Sequence, residues 1–539
     1  MNDPTRRTLL KAIRTTGAAG LVAAGPASAA ESGDEPEYPS PAWFAREERN
    51  YAKTGEAPAE QQNPVFQERW REQSELNVAE YERRTVEEPG WRSEGNLCRE
   101  WAEQCTGDPY LYPATEPLYD GDSFYGGVGE RERVAFRDRG GARLSGRVWA
   151  PADSGPGDAL PGVVVTNGSV QAPETAYWWF ALTLVANGYV VLTYDPRGQG
   201  RSDTTTPDGE RGTNANPDVF VTNQVDAIDF FRSTPETHYP YNEGHTDVPA
   251  PVVTHNPFAE RIDPSRLGAV GHSLGAAGAS VVQGLEPWPG RLDATNPVDA
   301  AVAWDNLADD VTDQLSYEVV PRVPAMGQSA DYYLTPQPKE EPPDPAAKKG
   351  GFQRWRAAGV PTYQLQIRGG THYEWSLVPT FPATAWDPGG DGGFGNPLAD
   401  HYSLAWLDRW LKEPGEQGYE SADARLLADA EWRDRLSFYY ESARAFPERD
   451  GTEHDCTDIK AGCAPFGPVD PSFRRATDPD DDGKYEDVDG DGECTVVDVQ
   501  ALFANRESGT VREHPGAFDF NGDGTFDVVD IQRLFGEVA

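Results

Sequence analysis

Residues 116–445 are predicted to fold as an α/β domain whose mostly parallel sheet is covered by helices on both faces. Short, continuously apolar runs such as GVVVTNG (162–168) and YVVLTYD (189–195) lack polar alternation, which marks strands buried on both sides. Stretches of helical period follow them, YWWFALTLVANG (177–188) and VTNQVDAIDFFRS (221–233), and these are the crossovers that parallel pairing needs. With 539 residues the chain exceeds what one core organises, so smaller appendages are expected around this body.

In chain order, the strand runs begin with RVAFRD (133–138) and LSGRVWAP (144–151). They resume after residue 260 in RLGAVGHS (266–273), AAVAWDN (300–306), VPAMGQSAD (323–331) and YQLQIRGG (363–370), and the helix YSLAWLDRWLK (402–412) closes the domain. Residues 236–262, rich in Pro, Asn and His, read as a loop that either covers a site or lies on the surface. That loop, the aromatic YWWF helix and the N-terminal extension are the expected pocket walls. Within the polar extension 31–115, PVFQERWREQSELNVAEYERR (64–84) has helical spacing suited to packing on the main body. Residues 446–484 read as a linker and 485–539 as a small acidic domain.

The N-terminus, TRRTLLKAIRTTGAAGLVAAGPASAA, resembles a twin-arginine export signal spanning residues 1–30, with cleavage near Ala29. Its apolar stretch is too short to span a bilayer, and no membrane anchor is expected. The chain is strongly acidic, with 47 basic against 89 acidic residues and a net charge of -42, which disfavours nucleic acid as a partner. Such self-repulsion is relieved in high salt, so a halophilic protein is expected over an ordinary acidic secreted one. Five cysteines suit an oxidising destination. The equal seven-residue spacings suggest Cys98–Cys105 and Cys456–Cys463 as disulfides.

GHSLG (271–275) has the form G-x-S-x-G at the junction of an apolar strand and a small-residue helix. There a sharp turn exposes a serine, and only glycine-sized neighbours let strand and helix pass. With TNG after one strand, DPRGQGRSD (195–203) after the next, and a later Asp and His, the chain resembles the α/β-hydrolase family. The resemblance implies Ser273 as nucleophile. It places the oxyanion donors at the backbone N–H groups of Leu274 and Ser169, Asn167 standing where many relatives carry His. It also implies that 195–203 is a scaffold turn. Of the eight histidines, His372 has both the preceding strand and the chain order required of the base. The acid is expected at Asp331, after the strand preceding that of His372, with Asp305, one strand earlier, as the alternative.

The C-terminal domain repeats itself with a period of 32 residues, in DVDGDGECTVVDVQALFA from 487 and DFNGDGTFDVVDIQRLFG from 519. Loop positions one, three, five and twelve carry Asp487, Asp489, Asp491 and Asp498, and in the second copy Asp519, Asn521, Asp523 and Asp530, with glycine at six in both. Oxygen donors around a sharp glycine turn suit two Ca2+ ions, Glu493 and Thr525 contributing carbonyls and Thr495 and Asp527 acting through water. Asp at position twelve and the missing first helix depart from an EF-hand and resemble a dockerin. This implies a cohesin-like partner, read by Val496–Val497 and Val528–Val529, with a calcium-stabilised tail as the alternative. Cys494 and Phe526, at position eight, are expected to point inward.

Together these readings imply a secreted serine hydrolase acting on a small-molecule or polymer-linked carboxylic ester, in the setting of polysaccharide breakdown. Peptidase, lipase and lactonase activities fit the same catalytic residues, and a noncatalytic scaffold or adhesion protein with this fold is the alternative of a different class.

Overall fold

The computed structural model describes residues 36–55, 127–169, 173–242, 252–376, 397–463, 476–488 and 494–538, apart from 214, 480–481, 507–510 and 512–514, together with the single residues 79 and 86. The export signal, the helix proposed at 64–84 and the pair Cys98/Cys105 lie outside the described residues.

Among the described residues, ten strands form one sheet in the order β1-β2-β4-β3-β5-β6-β7-β8-β9-β10. They are β1 Gly129–Arg137, β2 Arg143–Pro151, β3 Leu160–Thr166, β4 Val190–Asp195, β5 Ile262–His272, β6 Ala300–Trp304, β7 Ala325–Ala330, β8 Thr362–Ile367, β9 Ala443–Pro447 and β10 Glu453–Cys456. The six central strands, β4-β3-β5-β6-β7-β8, are mutually parallel. Antiparallel pairs flank them, β1 with β2 on one side and β9 with β10 on the other. From β3 the chain crosses outward to β4 and then returns to the other side as β5. The C-terminal ends of β3 and β5 therefore border the crevice where doubly wound folds place their sites.

The period-two alternation of β3 divides the core. Val163 and Val165 face one hydrophobic layer with Trp149 and Trp304, and Val164 faces the other with Leu192 and Phe230. Burying each such valine contributes on the order of 1.5 kcal/mol or more.

Helix α1, Pro41–Ala52, lies in the polar extension ahead of the stretch expected to be helical, with Ser40 as N-cap and Pro41 in the first turn. Its low apolar content hides it from periodicity, although the Ser-Pro start was a legible signal. The longer helices of the body among the described residues are α2 Trp178–Ala186, α3 Val219–Arg232, α4 Leu274–Val282, α5 Gly350–Ala357 and α6 Pro397–Leu411, and two short ones, Ala422–Leu426 and Asp429–Trp432, follow.

Three expectations change. The sheet continues past residue 446, because β9 and β10 extend it and a Cys456–Cys463 disulfide follows β10, so the domain runs further than 445. Residues of the 236–262 loop pack elsewhere: Tyr239 is buried in the core and Val252 bridges Ala135 of β1. The YWWF side chains are core residues, fully or nearly fully buried.

Candidate functional site

Ser273 follows the last residue of β5 and precedes the first of α4, with φ +56° and ψ -123°. Left-handed backbone at a non-glycine residue costs on the order of 1–3 kcal/mol and persists only where the surroundings impose it. Here the surroundings are tight. A Cβ on Gly271 would lie 2.1 Å from the carbonyl oxygen of Gly275, and one on Gly275 would lie 2.5 Å from that of Asn167. The Ser273 N–H donates to Trp304 O at 2.8 Å, tying the turn to β6.

The next strand also ends at a residue of positive φ. Asp305, immediately after β6, has φ +46°, so two of the three positive-φ non-glycine residues among those described sit side by side at this sheet edge. His372, five residues beyond β8, places Nδ1 2.5 Å from Asp305 Oδ2. Ser329 Oγ donates to Asp305 Oδ1 at 2.6 Å. Burial opposes ionisation of the Asp305 carboxyl, yet its hydrogen bond to His372 and the nearby cationic Lys348 outweigh that and hold it below the usual range. Ser273, His372 and Asp305 line one cleft of about 590 Å³ together with Ser169 and Leu274. With Nδ1 on Asp305, Nε2 is the imidazole nitrogen left for the serine hydroxyl.

Asp331, expected as the acid, does not reach the histidine. It is fully buried and accepts from Asn50 Nδ2 at 2.6 Å, from Gly369 N–H at 2.7 Å and from Ser437 Oγ. Asn50 belongs to α1, so Asp331 pins the N-terminal helix to the turn that leads into the histidine loop. Asp331 spends its oxygens on backbone and side-chain donors, and the turn of Asp305 aims its carboxylate at the imidazole.

A second histidine supports this arrangement. His272 Nε2 is 2.9 Å from the carbonyl oxygen of His372, and its Nδ1 is 2.6 Å from the Tyr177 hydroxyl. A carbonyl only accepts, so Nε2–H donates and Nδ1 accepts from Tyr177, whose oxygen accepts from Gly168 N–H at 3.1 Å. The chain of donors thus joins the β3 loop, the serine turn and the histidine loop. Its sequence signal was weak, because His272 reads equally well as a core histidine.

Burial and the neighbouring His372 lower the His272 pKa to about 3. The folded value lies below the unfolded one near 6.5, so the unfolded chain binds more protons between them. The resulting stability is present above about pH 6.5 and is lost as pH falls toward about 3. On the order of 2 kcal/mol should disappear between pH 6.5 and 5. Denaturant unfolding at both pH values checks this, the nontitrating His272→Gln variant losing less; equal losses would refute it.

The scaffold reading of residues 195–203 holds in the contacts. Asp195 accepts from Asn167 Nδ2 at 3.0 Å, Glu174 N–H at 2.7 Å and Arg201 N–H at 2.9 Å, and Arg197 pairs with Asp138 at 2.6 Å. The walls of the cleft come instead from residues after β6 and β7, including Leu307, Val311, Tyr333, Leu334 and Lys348. Periodicity gives no signal in those irregular segments.

In the C-terminal module, helices α7 Val496–Asn505 and α8 Val528–Val538 pack over a core of Val488, Leu502, Phe518 and Leu534. Asp489, Asp491 and Glu493 lie outside the described residues. Thr495 caps α7 with Asp498 in a reciprocal box. In the second loop Asp519 accepts from Asp523 and Gly524 N–H groups, Asn521 from Asp523 N–H, Asp523 from Thr525 N–H, and Asp530 from Asn521 and Asp527 N–H groups. Gly524, at position six, has φ +89°.

Among the described residues no three His, Cys, Asp or Glu side chains gather as a metal cluster. The donor types nevertheless fit a hard cation, since Asp487, Asp498 and Asp530 are fully buried carboxylates and Asp519 nearly so. Phe526 packs against the small core as expected, but Cys494 is exposed. Val496, Val497, Val528 and Val529 are also exposed, each 40% or more. No helix among the described residues is long and apolar enough to cross a membrane.

Two curated proteins show distant similarity. The chain is 29% identical over 160 residues to the thiohydrolase apmlB of Arthrinium phaeospermum, covering 30% of this chain and 41% of that protein. It is also 29% identical over 109 residues to an uncharacterized protein of Pseudomonas aeruginosa, covering 20% of this chain and 28% of that one. The chain therefore spans less than half the length of either relative, and the first match hints at a hydrolase. The C-terminal match is of a different kind, covering the duplicated loops and both helices of the module. Domains of the matching family typically bind Ca2+, engage cohesin partners and occur in secreted proteins, and residues 485–538 of this chain are a dockerin type I domain.

Proposed function

We propose that the chain is an exported serine hydrolase that cleaves carboxylic esters through an acyl-enzyme. The observation that carries this reading is the positive-φ Ser273 at a strand-to-helix turn, sharing one cleft with a His372 whose Nδ1 is held by Asp305. Ser273 Oγ attacks the acyl carbonyl while His372 Nε2 takes its proton. The ester C–O bond then breaks, and the imidazolium returns the proton to the leaving alcohol. Water repeats the sequence in reverse and frees the acid and the serine.

Asp305 keeps the imidazole in the required tautomer and stabilises its cation. The oxyanion meets the N–H of Leu274, which as the first residue of α4 has no intrahelical acceptor, and that of Ser169. Since Gly168 N–H is already given to Tyr177, Ser169 is the better donor on that loop.

The dockerin domain supports delivery to a cohesin-bearing, polymer-degrading assembly, with Ca2+ held by both loops of the module, a twin-arginine signal for export and a high-salt habitat for the acidic surface. The likeness to a thiohydrolase favours one second reading, cleavage of thioesters by the same residues. Matched acetyl esters and acetyl thioesters, assayed in calcium and high salt for released acid and released thiol, separate the two. The ester reading expects the higher kcat/KM on oxygen esters, and acid release from thioesters alone overturns it.

A further inference from the structure

If His372 returns a proton to the departing alcohol, the alcohol portion of the substrate must lie on the His372 side of Ser273. One side chain dominates that side. The Tyr333 ring packs on His372 with centroids 5.1 Å apart, lines the same cleft, and is 59% exposed, more than any other aromatic side chain among the described residues. Its neighbour Tyr332 points the opposite way, buried, with its hydroxyl on Glu47 Oε1 at 2.8 Å and its N–H on Gly370 O at 3.0 Å. The inward tyrosine therefore fixes the outward one, which stands at the mouth as a preformed flat face.

The rim beyond Tyr333 mixes polar side chains with the apolar Leu334 and Ala347 and the cation Lys348. Asp309, Asp310 and Gln314 line the cleft, and all three are exposed. A short alkyl alcohol would leave the Tyr333 face wet, and an aryl alcohol would set apolar edges against carboxylates, which is unfavourable. An anionic alcohol would meet both those carboxylates and a chain of net charge -42, against the single cleft cation Lys348, whose ammonium donates to Ala330 O beside Asp305. A neutral pyranose satisfies all three conditions, because its C–H face stacks on an aromatic ring and its hydroxyl edge donates to carboxylate and amide oxygens.

We propose that Tyr333 is a stacking platform for a neutral sugar ring, so that the leaving alcohol is a saccharide hydroxyl and the substrate class is an O-acylated glycoside. This rests on the ester-hydrolase reading above.

The full chain is assayed with a mono-O-acetylated methyl xylopyranoside, ethyl acetate and benzyl acetate. Tyr333→Ala should lower the kcat/KM ratio of glycoside over ethyl acetate by roughly three- to tenfold, chiefly through KM, with Tyr333→Phe restoring most of it. A ratio unchanged within about twofold, or a wild-type preference for benzyl acetate over the glycoside, overturns the platform. Binding of unacylated methyl xylopyranoside, followed by saturation-transfer NMR, is read independently of turnover. Binding to wild type and Ser273→Ala that is lost in Tyr333→Ala supports the platform even if no ester is cleaved, an outcome that would fail the ester reading alone. No binding to the wild type overturns the platform.

Discussion

Replacing Ser273 by alanine is expected to lower kcat by roughly 10⁴- to 10⁶-fold while leaving KM within a few-fold. The size follows from the division of labour in the cleft. The serine forms the covalent bond, and without it His372 and Asp305 have no nucleophile to activate, so only the oxyanion donors and binding retain any effect. The stability cost should be small, because alanine also occupies the turn and the constraint comes from Gly271 and Gly275 rather than from the serine hydroxyl. Labelling by a fluorophosphonate probe in calcium and high salt is the paired measurement. The wild type should label at one site and the variant should not. Retained turnover, or labelling that persists in Ser273→Ala, would remove Ser273 from the chemistry and place the nucleophile elsewhere, whereas a wild type that neither turns over ester nor labels would leave a noncatalytic role for the fold.

The parallel strands and the serine turn were legible because both are written in local pattern. Continuous valine runs announce buried parallel strands, and the Gly-His-Ser-Leu-Gly geometry needs small residues at fixed places. His372 was reachable by the same logic, as the histidine after a late strand. Choosing between two aspartates was not, because each follows a strand of the same sheet and only the turn after the strand decides where its carboxylate points. Asp305 turns through positive φ toward His372, and Asp331 turns toward α1 and the backbone of Gly369. Helix α1 itself was missed because its buried face carries, beside Trp43, the polar Arg46, Glu47 and Asn50, which meet only distant partners: Arg46 lies over the Phe438 ring, Glu47 accepts from Tyr332 and Asn50 donates to Asp331. The end of the body was missed for a related reason. Strand β10, EHDC, is short and charged, and only pairing with β9 makes it a strand.

The two aspartates give the sharper test, since conservative amidation of each should act on a different quantity. Asp305→Asn is expected to lower kcat by about 10⁴-fold with little change in KM. The amide nitrogen would face Nδ1 as a donor, favouring the tautomer that places the proton on Nε2, where it cannot accept from the serine. Asp331→Asn should instead lower stability by about 1–3 kcal/mol, because one amide oxygen cannot serve the donors of Asn50, Gly369 and Ser437 together. Its kcat should fall less than about tenfold, through loosening of the histidine loop rather than loss of the base. The hydrogen bond to His372 and the nearby Lys348 hold the Asp305 carboxyl below its ordinary range, so in the wild type it remains a carboxylate facing the imidazole into mild acid. Parallel kinetics and thermal unfolding of both variants decide the matter. A loss of kcat in Asp331→Asn as large as that in Asp305→Asn, at unchanged stability, would return the acid to Asp331.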